Sequence, residues 1–187
     1  IGGSINSAVG KTHIIASQID NKWGVVSGCF SRNEEVNKKT ALDYGVDVSR
    51  VYSDWKFFLE SEKDLIDAVC ILTPTNVHKE MIIKALQLNI PVICEKALAL
   101  DYEEALEIEK TLSETNGFLA VTYNYTGYPM VRELKNIIKE KELGNIKQIQ
   151  IEMPQEGFLR TDKNGQIIRP QDWRLQDGSI STISLDL

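Results

Sequence analysis

The chain has 187 residues, enough for one domain and the start of a second. Its 42% hydrophobic and 26% charged residues are ordinary for a soluble globular protein, and a net charge of −6 offers no basic face for nucleic acid. Apolar runs fall far short of a membrane span.

In chain order, strand patterns alternate with helix patterns. "WGVVSGCF" (residues 23–30) is apolar and β-branched, as a strand covered on both faces should be. "NEEVNKKTALDYG" reads as a helix capped by Asn33 and stopped at Gly45. "SDWKFFLES" is a short helix opened by Ser53 or Asp54. "DAVCIL" (residues 67–72) is the next strand. The helix after it carries Val77, Met81, Ile82, Ala85 and Leu86 on one face. "PVICE" is a further strand, Asp101 caps "YEEALEIEKTLSET", Gly117 ends it, and "LAVTY" (residues 119–123) closes the series. Such alternation with short loops predicts parallel strands joined by right-handed crossovers, a doubly wound α/β sheet. Ligands of such sheets sit beyond the carboxyl ends of the strands. Lys96 falls at one of these ends, where an amine can face the crevice.

After Tyr123 the texture changes. Pro129 opens a helix with Val131, Leu134, Ile137 and Ile138 on one face, stopped by Gly144. "NIKQIQIEM" alternates with period two, as a half-buried antiparallel strand does. This places a first domain at residues 1–123 and a second at 124–187. "IGGS" reads as the end of a strand whose earlier part is missing. The residues after Tyr123 are too few for a good core, so the chain reads as a fragment.

"IGGSINSAVGKTH" is a glycine loop before the first helix. Aligned on a dinucleotide fingerprint from Gly2, its later positions fall on Ser4 and Ser7. Backbone N–H groups of Gly2, Gly3, Ser4, Asn6 and Ser7, with the helix amino end, could hold a pyrophosphate. A plain Gly-Gly-Ser turn would look similar. At the end of the next strand, where NAD usually meets an acid, stand Ser31 and Arg32. A hydroxyl beside a guanidinium suits a 2′-phosphate, so NADP is favoured over NAD; the other reading is that Arg32 only solvates a helix start. Cys29, Cys70 and Cys94 read as free buried thiols of a reducing cytoplasm. His13 and His78 have no partner at ligand spacing, and no metal site is expected.

The stretches "IGGSINSAVG", "ILTPTNVH", "VICEKALAL", "YNYTGYPMVRELK" and "DWRLQDGSISTISLDL" together resemble the glucose–fructose oxidoreductase, inositol dehydrogenase and rhizopine-catabolism family, Gfo/Idh/MocA. The resemblance spans essentially the whole chain. It implies a Rossmann domain followed by an α+β domain with an open antiparallel sheet, through which members often pair as homo-oligomers. It implies hydride transfer between NAD or NADP and a hydroxyl-bearing carbon of a sugar, inositol or related polyol. Lys96 would face substrate and nicotinamide, with Glu95 beside it. Thr73 and Pro74 would line the nicotinamide, with Asn76, His78 and Asn124 near the cofactor. Trp173 and Arg174 would approach the substrate, and Asp186 would be the acid of a D-x-x-x-H motif.

Two departures stand out. Ala97 replaces the family's usual proline, and the motif's histidine would fall beyond Leu187. Hydride transfer at a C–OH carbon needs a matched proton transfer at the oxygen. Lys96 suits the polarising and relay role and Asp186 the orienting of hydroxyls. A cofactor-sensing regulator or inactive scaffold of the same fold is the other reading.

Overall fold

The structure, a computed structural model, describes residues 1–152, 154 and 160–169. It divides into two compact units, Ile1–Val121 and Thr122–Leu187.

In the first unit, β1 (Val69–Ile71), β2 (Val92–Cys94) and β3 (Leu119–Val121) form a parallel sheet in the order β1-β2-β3, with Val69 beside Val92 and Val92 beside Leu119. Hydrogen bonds extend this sheet beyond β1. The Leu72 N–H donates to the Ile1 carbonyl and the Gly2 N–H to that of Cys29. Gly28 in turn bridges in parallel to Val51. The segments therefore lie side by side as Val51, Gly28–Cys29, Ile1–Gly2, β1, β2, β3. In chain order that is 3-2-1-4-5-6, the doubly wound arrangement.

The two sheet faces differ. Val69, Ile71, Val92 and Cys94 point to one core, where they meet Met81, Ile82, Ala85 and Leu86 of α4 (His78–Gln87) and Ile108 of α5 (Tyr102–Thr115). The alternating Cys70 and Ile93 are half-buried on the other face, beneath α1 (Ala8–Ile19). Fully burying one such aliphatic side chain contributes about 1.5–3 kcal/mol, so the α4 side carries most of the fold. Helix ends follow the caps read from sequence. Asn33 accepts from the Val36 N–H at the start of α2 (Glu34–Asp43), and Asp54 from Phe57 at α3 (Trp55–Glu62). Asp101 accepts from the Glu104 N–H, whereas Asn116, not the expected Gly117, ends α5 in the left-handed region. A buried Glu62 carboxylate, held by Arg50 and the Tyr52 hydroxyl, ties α3 to the loop before it.

Two expected strands are not formed. Residues 23–27 do not join a ladder, and Trp23 and Val26 are exposed. Among the described residues, pairing of this segment is seen at Gly28 and Cys29. In the second unit, Pro129 opens α6 (Pro129–Lys139) as expected, and residues 145–152 are irregular rather than an antiparallel strand. Ile149 and Ile151 are exposed, so the period-two pattern has no partner among the described residues. No helix among the described residues is long and apolar enough to cross a membrane.

Candidate active-site crevice

Three turns lie at carboxyl ends of neighbouring strands in the first unit: Gly2–Gly3 after the Ile1 segment, Thr73–Pro74 after β1, and Glu95–Lys96 after β2.

The first turn is built by glycine. Gly2 and Gly3 have φ of 75° and 71°, values an L side chain seldom adopts. A Cβ on Gly2 would also meet the Leu72 backbone at 2.9 Å. The Gly3 carbonyl accepts from the Tyr44 hydroxyl at 2.9 Å, and the Ile5 N–H donates to Thr40 Oγ1. The Ser4 carbonyl accepts from the Ser7 N–H, and Ser7 caps α1 by accepting from the Gly10 N–H. Asn6 is exposed on the loop. Gly10 is buried, and a Cβ there would lie 2.1 Å from the Gly3 carbonyl oxygen. The close helix–loop contact that the fingerprint assigns to a glycine is thus made by Gly10, while Ser7 serves as the cap. Unlike α2, α4 and α5, α1 has no acidic residue in its first turn, which leaves the positive end of its dipole unopposed by a local carboxylate. A glycine-lined cradle ahead of such a helix end fits a dinucleotide pyrophosphate.

Ser31 and Arg32 end the second strand segment. Ser31 Oγ accepts from the Asn33 N–H at 3.1 Å, and Arg32 is exposed. At the second turn, Pro74 precedes a single 3-10 turn, Thr75–Val77, and Asn76 is exposed. His78 follows and is fully buried. Its Nε2 lies 2.8 Å from the Thr73 carbonyl oxygen and its Nδ1 2.8 Å from that of Ala97. The ring therefore supports two turns from behind rather than presenting a free edge to the crevice.

At the third turn Glu95 and Lys96 are half-buried and the Lys96–Ala97 peptide is cis. Glu95 Oε1 lies 2.8 Å from His13 Nε2, and Oε2 accepts from the Lys96 N–H at 3.1 Å. Cys70 Sγ lies 3.6 Å from His13 Nδ1. Hydrogen bonding to Cys70 and to Glu95 raises the imidazole from 6.5 to about 9 against the opposing effect of burial. The Glu95 carboxylate thus joins α1, through His13, to the backbone of Lys96. Burial pushes the Cys94 thiol up to about 12, so it is an inert core thiol. His13 was not legible as a site residue, because its partners lie 57 and 82 positions away. Gly10 carried a signal, a glycine three positions into the first helix.

Asn124 opens a 3-10 turn, Asn124–Gly127, in the second unit and is exposed. Trp173, Arg174 and Asp186 lie outside the described residues. A cavity of about 460 Å³ lies between α1 and the sheet. It runs from Gly2, Gly3, Gly10 and His13 at the glycine cradle to Trp23, Val25 and Val69 toward the strands' amino ends, and Thr73, Glu95 and Lys96 do not line it.

A doubly wound sheet with a glycine cradle at its central strand defines a dinucleotide-binding protein. The family model for the Gfo/Idh/MocA oxidoreductases, with an NAD-binding Rossmann fold, matches residues 1–123, and the chain belongs to that family. It is 33% identical over 180 residues to an uncharacterised oxidoreductase of Bacillus subtilis, YfiI, covering 94% of this chain and 45% of that protein. An inositol dehydrogenase homologue from Azotobacter vinelandii, solved with NAD+, superposes with a TM-score of 0.73 at 32% identity, over 78% of this chain and 38% of that one. The same homologue with NADH and myo-inositol gives the same score and identity, over 78% and 39%. The chain spans less than half the length of these relatives.

Proposed function

We propose that the full-length protein is a nicotinamide-dependent oxidoreductase that moves a hydride between its cofactor and a hydroxyl-bearing carbon of a sugar, inositol or related polyol. The observation that carries this is the placement of Lys96. It follows β2 at the same strand ends as the Gly2–Gly3 cradle, and Glu95 links its turn to α1 through His13.

When bound, the nicotinamide supplies or takes up the hydride. Gly2, Gly3 and the amino end of α1 would hold the pyrophosphate, and Thr73 and Pro74 would flank the nicotinamide. The Lys96 ammonium would donate to the substrate oxygen as negative charge develops on it, which is the form of stabilisation most sensitive to fixed placement. Asp186, Trp173 and Arg174 would orient substrate hydroxyls, and Asn124 would approach the cofactor. Ser31 and Arg32 support NADP over NAD, since a guanidinium can pair with a 2′-phosphate. Relatives solved with NAD+ or NADH and with myo-inositol support the polyol reading.

The test is to mix full-length protein with NAD or NADP and a polyol panel that includes myo-inositol, and to follow reduced-nicotinamide absorbance. Turnover lost in Lys96→Ala supports the reading. Tight cofactor binding with a flat trace across the panel instead favours a cofactor-sensing regulator. Calorimetry with the two dinucleotides decides the cofactor: tighter NADP binding that Arg32→Ala removes supports the assignment, and equal or tighter NAD binding overturns it.

A further inference from the structure

Lys96 stands between two residues that are each gripped by a histidine. On its amino side, the Glu95 carboxylate meets His13 of α1 at 2.8 Å and also accepts from the Lys96 N–H. On its carboxyl side, the Ala97 carbonyl lies 2.8 Å from the buried ring of His78, whose other nitrogen reaches the Thr73 carbonyl. Helix α1, the turn after β1 and helix α4 therefore converge on one tripeptide.

From this convergence we propose that His13 and His78 are positioning residues that hold Lys96 by fixing the residues on either side of it. The inference rests on the reading that Lys96 acts on substrate. A lysine loses side-chain rotamer freedom when it is ordered, and a misplacement of about 1 Å can cost about 100-fold in rate. Pinning the backbone at both neighbours leaves only the side chain to be ordered. Imidazole suits the task because a rigid ring presents two nitrogens on different edges and so bridges two partners with few rotatable bonds. His78 sits between two carbonyl oxygens, those of Thr73 and Ala97, and a ring N–H donated to a carbonyl packs the turn after β1 against the turn after β2. His13 bridges Cys70 and Glu95. Because His13 sits on the helix that opens at the glycine cradle, displacement of α1 is transmitted to Lys96 through one carboxylate.

The test uses limited reductive methylation of full-length protein without substrate, with each lysine quantified by peptide mass spectrometry. Lys96 is referenced to the exposed Lys22 and Lys110. In His13→Leu the Lys96 ratio should shift by about threefold or more, the change in free amine that half a pKa unit produces. His13→Gln, which keeps a donor for Glu95, should restore most of it. His78→Gln should shift the same ratio with the reference lysines unchanged; if that variant does not fold, the His13 pair decides. An unchanged Lys96 ratio in a folded His13→Leu variant overturns the proposal. Failure of the underlying reading looks different: Lys96→Ala would retain turnover while the labelling shifts still occur.

Discussion

Helices α4 and α6 have the same design and opposite fates. Both place aliphatic residues along one face, and both follow the signals that start a helix. In α4 that face is inside: Ile82 and Leu86 are at most 1% exposed, against β1, β2 and α5. In α6 it is mostly outside: Met130 is 76% exposed, Val131, Leu134 and Ile138 are exposed too, and only Ile137 of that face is half-buried. The same contrast separates β2 from residues 145–152. Periodicity states which face requires burial, and a partner decides whether it is buried. The first unit supplies its own partners, so its turns, and the side chains on them, have fixed neighbours. The described part of the second unit does not.

This contrast predicts a ranked set of effects. The largest is functional and confined to the first unit. Lys96→Ala in full-length protein should lower kcat by about 10²–10³ while leaving dinucleotide affinity within a few-fold by calorimetry; equal losses in both would make Lys96 a cofactor-binding residue instead. Next, Ile82→Ala should destabilise this chain by about 3 kcal/mol in urea denaturation, whereas Ile138→Ala should cost less than about 0.5 kcal/mol. A comparable cost at Ile138 would show that α6 has a packing partner after all. Smaller still, Gly10→Ala should cost about 2 kcal/mol through overpacking against the Gly3 carbonyl and weaken dinucleotide binding, with Gly127→Ala in the second unit, where a Cβ meets nothing within 4 Å, as the control.

The smallest effect is pH-linked. The folded state raises His13 from 6.5 to about 9, so its pairing stabilises fully below the lower value and is lost as pH rises through the upper one. Unfolding free energy should therefore fall by about 1 kcal/mol across that window relative to His13→Gln. A flat difference between the two proteins would remove the charged pair from the account.

Much of the first unit was legible because local chemistry and tertiary outcome agree there. Asn33, Asp54 and Asp101 are good caps and are used as caps, and the β-branched runs around Val69 and Val92 are buried strands. The site was legible in part. Glycines ahead of a helix and a lysine at a strand end announce a crevice, so Gly2, Gly3 and Lys96 could be named from pattern, and Glu95 from the family resemblance. His13 could not, because its role comes from contacts with Cys70 and Glu95 that only the folded sheet creates. Gly10 stands out as a glycine inside a helix, but its role, close packing against the Gly3 carbonyl, needs the fold to be seen. Residues 23–27 and 145–152 show the converse: a strand pattern states a preference, and hydrogen bonding to a neighbour makes the strand.

The most direct test is a crystal structure of full-length protein with bound dinucleotide. The account predicts the pyrophosphate against Gly2, Gly3 and the amino end of α1, and the nicotinamide ring beside the Lys96 amine, between the turns after β1 and β2. A dinucleotide seated elsewhere, or one bound in this cradle with Lys96 turned away from its nicotinamide, would contradict it.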